Sequence, residues 1–136
     1  MPDIKLRPTV ATDLPHLMDF DHSIYSESVW QLELRRDAGQ VMTTFREVRL
    51  PRSVHVTYPH DPFALADDWV RKSMMYTALI GMDLVGYICL LEHGGASVVS
   101  MTDLVVAGAY RRRGVASALL TAGQDWAASR SHRRLI

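Results

Sequence analysis

The sequence predicts an α/β fold, in which strands form a mixed sheet and helices pack against it. Two apolar runs, at 75–80 and 85–92, flank a glycine-containing turn, a pattern typical of a β-hairpin. Residues 113–130 repeat apolar side chains at helical spacing, so one face of that helix is continuously apolar. An apolar, largely β-branched run at 104–106 comes before this helix, and a short loop with two glycines connects the two. A chain of 136 residues is long enough for one core, so we predict a single domain over residues 1–136.

The N-terminal residues predict a strand followed by a helix. Residues 4–7 alternate apolar and basic side chains, as a half-buried strand does. Thr12 or Asp13 is the expected cap of the next helix, and Pro15 suits its first turn. The buried face of this helix is predicted to contain Leu14, Leu17, Met18 and Phe20.

The middle of the chain has weaker patterns. Residues 21–38 contain polar residues with aromatic residues interspersed, and we predict a second short helix there. Residues 41–48 and 54–58 alternate well enough for two strands, which Pro51 separates. Residues 60–73 predict a loop with a short helical piece.

The C-terminal third carries the clearest succession of elements. Residues 96–106 predict a strand that leads into the glycine loop, and the long helix at 113–130 follows it. Residues 131–136 look like the beginning of another strand.

The charges are unevenly distributed along the chain, although the formal net charge is zero. Residues 1–104 contain nine Lys or Arg and fourteen Asp or Glu, whereas residues 105–136 contain six basic and one acidic residue. A polyanionic cofactor would be drawn to the basic end, and a cationic amine would be favoured on the acidic side.

Several classes of protein are disfavoured. The longest apolar stretch, at 77–91, contains Asp83 and is shorter than the ~20 residues of a membrane helix, so no membrane association is expected. The single cysteine, Cys89, cannot form an internal disulfide, which favours a cytoplasmic protein. His55 and His60 lack the spacing and the further ligands of a metal site, so no metal is expected. The basic residues form no stripe with interleaved aromatics, which disfavours nucleic-acid binding.

Residues 103–117 have the arrangement of an anion-binding loop. A helix N-terminus leaves about four N–H groups outside the helical ladder and carries roughly half a positive charge, so it binds phosphate well. Three consecutive arginines, at 111–113, add to that field. The simpler alternative is a basic capping loop that faces solvent. Neither the Gly-Lys-Ser/Thr of a P-loop nor the three spaced glycines of a dinucleotide fingerprint occurs here.

The segment Arg111-Arg112-Arg113-Gly114-Val115-Ala116 resembles the acetyl-CoA pyrophosphate loop of the GNAT N-acetyltransferase superfamily, Gln/Arg-x-x-Gly-x-Gly/Ala. The resemblance implies a mostly antiparallel central sheet flanked by helices, with acetyl-CoA as cosubstrate. It also implies that loop amides wrap the pyrophosphate and that the preceding strand binds the pantetheine arm. The expected cofactor-binding residues are Leu104, Val105, Val106, Arg111, Arg112, Arg113, Gly114, Val115, Ala116 and Ser117.

The resemblance further implies direct transfer of an acetyl group to a primary amine, of a small molecule or a protein, in a ternary complex. A backbone N–H at Val105 or Val106 is the expected oxyanion donor. Asp103 is the first candidate for the catalytic base and Glu92 the second, although Asp103 fits equally well as a residue that holds a neighbouring loop by hydrogen bonds. His93 and Glu33 are weaker candidates for the base. In the simpler interpretation His93 is only a polar turn residue, and Glu33 is a solvated charge on a helix.

The resemblance departs from the family at the C-terminus. GNAT domains continue with a fifth strand and a helix that carries a tyrosine, and the resemblance implies that this chain stops before that fifth strand. The sheet edge that lacks this strand leaves backbone N–H and C=O groups unpaired, which favours a homodimer by strand pairing. A non-catalytic or incomplete CoA-binding module of the same fold is therefore the alternative function. The segment 50–59 looks like the longer second-strand region of relatives near the streptothricin-type acetyltransferases.

Overall fold

The computed structural model describes residues 3–95 and 97–136, which form two compact units. One unit contains the residues up to His22 together with His60–Ile136, and the other contains Ser23–Pro59. Compactness alone does not define a domain, so the single domain over residues 1–136 stays a prediction. In chain order the elements are β1 (Ile4–Pro8), α1 (Leu14–Met18), β2 (Ile24–Asp37), β3 (Gln40–Val56), α2 (Leu65–Asp68), β4 (Met74–Ile80), β5 (Asp83–Glu92), β6 (Val98–Val106), α3 (Val115–Ser129) and β7 (Arg134–Leu135).

The larger unit is built on a five-stranded sheet in the order β1-β4-β5-β6-β7. The first three pairings are antiparallel, and β7 pairs with β6 in parallel. The predicted mixed α/β fold is therefore confirmed. The predicted hairpin is confirmed as β4 and β5, with Gly81 in the left-handed region at φ 62° in its turn. The strand predicted from residue 96 begins at Val98, and Ala96 itself lies outside the described residues.

The helix α3 packs its apolar side on one face of this sheet. Its buried residues recur every four positions, as a helix with one apolar face requires. Gly123 permits close packing, because a Cβ there would lie 3.1 Å from Ile88 Cδ1. The predicted helix over 113–130 is confirmed, with Val115 and Ser129 as its ends. The buried residues of this face are Val115, Leu119, Gly123 and Ala127.

The opposite face of the sheet is covered by α1 and the segment that follows it. Neighbouring strand residues point to opposite faces, so Tyr87 lies on the side away from Ile88 and α3. The Tyr87 hydroxyl and His22 Nε2 lie 2.8 Å apart and share a hydrogen bond in the buried interior. Leu14 and Leu17 of α1 are buried as predicted, whereas Met18 and Phe20 are half-buried.

Two short pieces of chain also match the sequence. Residues 60–73 form a loop that continues into 3₁₀ turns at 62–64 and 69–71, with α2 between them. The strand expected to begin within 131–136 is β7. Within the described ranges, no helix is both long and apolar enough to cross a membrane.

The smaller unit is a long antiparallel ribbon of β2 and β3, and it corrects two predictions. The helix predicted over 21–38 is wrong, because apolar side chains recur every second residue there, which is the period of a strand. The two strands predicted at 41–48 and 54–58 are one strand, Gln40–Val56. Pro51 of β3 lies opposite the point in β2, between Ser26 and Ser28, at which the pairing register shifts. A residue without an N–H is tolerated at such an irregularity.

A buried carboxylate holds the first turn of the N-terminal segment. Both nitrogens Nη1 and Nη2 of Arg7 donate to Asp13, at 2.6 and 2.8 Å, and Val10 N donates to Asp13 Oδ2 at 3.0 Å. The hydrogen bond from Arg7 is the main reason that the pKa of Asp13 lies below its ordinary value. Asp13 is thus the N-cap residue of α1 by position, as one of the two predicted caps, but its side chain makes no capping hydrogen bond to α1 and instead accepts from Val10 N at the start of the preceding 3₁₀ turn.

We expect Asp13→Asn to lower the free energy of unfolding by about 2 kcal/mol at neutral pH, because charged hydrogen bonds are lost at a buried site. A lowered carboxyl pKa stabilises the fold above the unfolded-state pKa, and this stabilisation is lost as the pH falls through the folded-state pKa. Urea titrations at neutral and acidic pH should show the difference between variant and wild type shrinking in acid. Asp19→Asn, at an exposed carboxylate, is the control and should change stability little. A pH-independent difference would contradict this account.

Candidate active site

Gly114 is the residue at which the loop turns into α3. Its φ is 88°, in the left-handed region that side chains with a Cβ disfavour, and Arg112 has a φ of 62°. A Cβ on Gly114 would meet nothing within 4 Å, so backbone conformation and not crowding within the chain requires glycine here. Ala118 N donates to Gly114 O at 3.0 Å, which begins the helical ladder. The N–H groups of Val115–Ser117 therefore form the first turn, where an anion is bound best.

The three arginines of the loop differ in what they contact. Arg111 Nε donates to Val106 O and its Nη2 donates to Asp21 O, both at 3.0 Å, so Arg111 ties the end of β6 to the segment after α1. The Arg113 guanidinium lies 5.6 Å from the centre of the Tyr110 ring. Arg112 and Arg113 are exposed. The positive charge that the loop presents to solvent therefore comes mainly from these two residues.

The backbone of β6 directs alternate residues to its two edges. Ala107 N donates to Val85 O at 2.8 Å, and Val105 lies opposite Tyr87 in the same register. Because alternate residues of an antiparallel pair bond to the neighbour, Val105 directs its N–H and C=O towards β5. Leu104 and Val106 direct theirs to the other edge, where Val106 O accepts from Arg111. Of the two predicted oxyanion donors, this alternation favours Val106 over Val105.

An open cavity of about 550 Å³ lies beside the loop in the larger unit. Ala107 and Tyr110 line one side, and His16 and Asp19 from the end of α1 line another. The Tyr110 hydroxyl donates to Asp83 Oδ2 at 2.8 Å, which holds the loop to the start of β5. The volume is in the range of small-molecule sites.

Asp103 forms a carboxylate–imidazole pair with His60. His60 Nδ1 lies 3.1 Å from Asp103 Oδ1, while Thr102 Oγ1 donates to Asp103 Oδ2 at 2.9 Å. Lys72 Nζ lies 3.8 Å from the same Oδ2 atom. The Asp103 side chain is only 10% exposed, whereas that of His60 is 56% exposed. The carboxylate is thus enclosed by donors, and the imidazole is the accessible member of the pair.

Sequence reasoning considered His60 only as a metal ligand and did not pair it with Asp103. The two residues are 43 positions apart, on a loop and on β6, and no spacing rule connects such positions. Within the described part of the chain, no group of three His, Cys, Asp or Glu could hold a metal ion.

Cys89 lies opposite Asp103 on β5 and is fully buried. Burial raises the pKa of its thiol far above the ordinary value, and the neighbouring Asp103 charge raises it further. Cys89 is therefore a neutral thiol within the core, and thiolates, not thiols, are the nucleophilic form.

Glu92, the second candidate base, is bound at both carboxylate oxygens. Arg130 Nε donates to Oε1 at 2.8 Å, and His132 Nε2 lies 3.0 Å from Oε2. The His132 hydrogen bond is the main cause of a lowered pKa for Glu92, which makes it a weaker base. His93 Nε2 lies 2.6 Å from Ser100 Oγ. Glu33 lies on a strand and not on the helix predicted for it.

Solved structures share this fold. A nourseothricin acetyltransferase superposes with a TM-score of 0.76 at 23% identity, covering 97% of this chain and 71% of that chain. A putative streptothricin acetyltransferase from Bacillus anthracis, solved with acetyl coenzyme A, has a TM-score of 0.70 at 20% identity, covering 98% and 73%. The ribosomal-protein-S18-alanine N-acetyltransferase from Escherichia coli has a TM-score of 0.64 at 12% identity, covering 98% and 64%. No curated protein sequence matches the chain.

These likenesses define the class of the fold, which is that of the GNAT acetyltransferases. The sequence model of the acetyltransferase (GNAT) family matches residues 40–136, well over half of the chain. The chain therefore belongs to the GNAT acetyltransferase family, and the resemblance read from the loop at 111–116 is confirmed.

Proposed function

We propose that this chain is an N-acetyltransferase that moves an acetyl group from acetyl-CoA to a primary amine by direct transfer in a ternary complex. The observation that carries the proposal is the left-handed Gly114, which opens a 15-residue helix at the end of the loop after β6, beside exposed arginines. This arrangement fits a pyrophosphate group, because the backbone leaves space where a side chain would stand and its N–H groups meet an added positive field.

The residues that would hold the cosubstrate come from β6 and the following loop. The edge of β6 that Leu104 and Val106 face would bind the pantetheine arm through the main chain. The first-turn N–H groups of Val115–Ser117 would bind the pyrophosphate, and Arg112 and Arg113 would add charge attraction. Acetyl-CoA, when bound, supplies the acetyl group as a thioester that an amine can attack.

We assign proton removal to His60, with Asp103 as the residue that positions it. An ionised carboxylate only accepts hydrogen bonds, so Nδ1 of His60 carries the proton in the bond to Asp103. The tautomer thus defined leaves Nε2 as the basic nitrogen. His60 Nε2 takes the proton whose loss leaves the amine nitrogen free to bond to the acetyl carbon. The thioester C–S bond then breaks, and CoA leaves as the thiol with the second proton that the nitrogen loses. The buried Asp103 then faces a positively charged imidazole, which it stabilises.

The acceptor is proposed to be a cationic amine, on a small molecule or a protein. The acidic excess within residues 1–104 attracts such a group, and the basic loop attracts the cosubstrate. The N–H of Val106 is the proposed donor to the oxygen that gains negative charge during transfer. The single, buried cysteine is consistent with action in the cytoplasm.

Two measurements on the purified chain test this function. Acetyl-CoA at about 100 times its Kd should raise the melting temperature by about 5–10 °C, because it binds only the folded state. A panel of primary amines should then be tested for amine-dependent release of free CoA thiol. Stabilisation together with release is the expected result. Stabilisation without release for any amine favours the CoA-binding module, and no stabilisation by acetyl-CoA or CoA would overturn the cosubstrate assignment.

A further inference from the structure

Lys72 is a largely buried lysine beside the pair of Asp103 and His60, and no function described above uses it. Its side chain is only 17% exposed, although lysine is seldom buried without a charged partner. The main chain fixes its position. Lys72 N donates to Trp69 O at 3.2 Å, and the N–H of the next residue donates to Leu90 O at 2.9 Å. The ammonium is thus held near the carboxylate from the point at which a 3₁₀ turn leads into β4.

The two oxygens of the Asp103 carboxylate contact different donors. Oδ1 lies 3.1 Å from His60 Nδ1. Oδ2 lies 3.8 Å from Lys72 Nζ and accepts from Thr102 Oγ1 at 2.9 Å. One carboxylate therefore lies between a lysine and an imidazole, so a single negative charge serves two groups that can each carry a positive one.

We propose that Lys72 is a positioning residue that keeps the His60 imidazole neutral, and so able to take a proton, at the pH at which the amine reacts. With Lys72 charged and His60 neutral, the lysine, the imidazole and the carboxylate together have no net charge. Protonation of His60 would add a second positive charge to this group. The lysine opposes that step, because a like charge at close range disfavours the charged form. This inference rests on the proposed function, in which His60 is the base.

A carboxylate–imidazole pair without such a lysine behaves differently. The carboxylate then stabilises the protonated ring without opposition, so the ring keeps its proton to higher pH and less of the free base is present at neutral pH. Lys72 offsets this effect through charge. The hydrogen bond from His60 Nδ1 still orients the ring, and the hydroxyl of Thr102 holds the carboxylate from its other oxygen.

Other titratable groups lie near this pair. Cys89 faces the carboxylate from β5 as a neutral thiol. Asp61 follows His60 in the chain, and its carboxylate accepts from a backbone N–H of the next 3₁₀ turn at 3.0 Å. Its negative charge favours a protonated ring, which the lysine counteracts. Further along the same face of the sheet, the Tyr87 hydroxyl and His22 share a buried hydrogen bond.

The pH dependence of amine-dependent CoA release tests the role of Lys72. In Lys72→Met the acidic limb should move to higher pH by about one unit, because the opposing charge is gone. The variant should then be about tenfold slower than the wild type within that limb and about equally fast on the alkaline plateau. Lys72→Arg should keep the wild-type limb, because it keeps the charge.

Arg71→Met is the matched control, since it removes a positive charge one position away. The Arg71 side chain is exposed, and its Nη1 lies 3.3 Å from Asp68 Oδ1. Its acidic limb should match that of the wild type. Lys72→Gln removes the lysine charge but keeps a hydrogen-bond donor, and it should shift the limb in the same direction as Lys72→Met. It takes the place of Lys72→Met if circular dichroism shows that the methionine variant does not fold.

The NMR signals of the His60 ring give a second readout, which needs no substrate. Comparison with His60→Gln identifies these signals. Their pH midpoint should rise by about one unit in Lys72→Met and stay unchanged in Arg71→Met. An unchanged midpoint in Lys72→Met, or a loss of rate by the same factor at every pH, would overturn the proposed role of Lys72. If no amine supports CoA release while the midpoint still shifts, the proposed function fails and the influence of Lys72 on His60 stands.

Discussion

Replacing His60 with Gln is expected to lower kcat for acetyl transfer by about 10²–10⁴-fold, the usual contribution of a general base. Gln keeps a polar side chain of similar length but cannot take a proton from the amine. His60 is largely exposed, and the fold should therefore keep its melting temperature. KM for acetyl-CoA should change little, because the proposed cosubstrate contacts lie on β6 and the loop at 111–117.

The pH–rate profile distinguishes catalysis from a structural role. Wild-type activity should fall on the acidic side as a base becomes protonated, and His60→Gln should lose this acidic limb along with most of its rate. Asp103→Asn should also lower kcat, since an amide does not stabilise the charged imidazole, whereas Asp103→Glu should recover part of the rate.

His93→Gln is the matched control for the His60 substitution. His93 is an exposed histidine whose Nε2 contacts Ser100, and it lies outside the pair with Asp103. We expect its kcat and pH profile to match those of the wild type. If His60→Gln retained wild-type kcat and the same acidic limb while amine-dependent CoA release persisted, the assignment of His60 would be wrong and the proposed acetyl transfer would still hold.

Replacing Gly114 with Glu is expected to weaken acetyl-CoA binding by about 100-fold or more. A residue with a Cβ costs roughly 1–2 kcal/mol in the left-handed conformation, and the carboxylate repels the pyrophosphate at close range. Isothermal titration calorimetry with acetyl-CoA measures the change. The thermal stabilisation by acetyl-CoA should disappear at the same ligand concentration.

Two variants separate charge from conformation at the loop. Gly114→Asn keeps a residue that tolerates the left-handed region, without adding charge, and should lose about tenfold or less in affinity. Gly108→Glu adds the same carboxylate to an exposed position where φ is not positive, and it should cost only a few-fold. Equal affinity of Gly114→Glu and wild type would show that the pyrophosphate does not lie at this loop.

Much of the larger unit was predictable because its signals are local. The hairpin of β4 and β5 has two apolar runs around a glycine turn, and α3 has apolar residues every three or four positions. The motif that predicts pyrophosphate binding at the loop with Gly114 consists of six consecutive residues, 111–116. Such patterns report backbone period and turn chemistry, which neighbouring residues determine between themselves.

The middle of the chain was misread for an equally physical reason. Trp30, Leu32 and Leu34 recur every second position, but the polar residues between and before them resemble those of a short, irregular helix. Pro51 indicated a break, although the strand continues past it through a register shift. Strand pairing depends on a partner elsewhere in the chain, so a single segment carries only part of the signal.

By itself the sequence determined the family, the α/β class and the glycine loop, because these depend on residues that are adjacent in the chain. Only the tertiary structure decided that Asp103 meets His60, that Arg111 is tied to Val106 and Asp21, and that Glu92 is bound by Arg130 and His132. It also decided that the β6 residues facing away from β5 are Leu104 and Val106. These contacts join positions far apart in the chain, and packing of whole elements, not local propensity, brings them within hydrogen-bond distance.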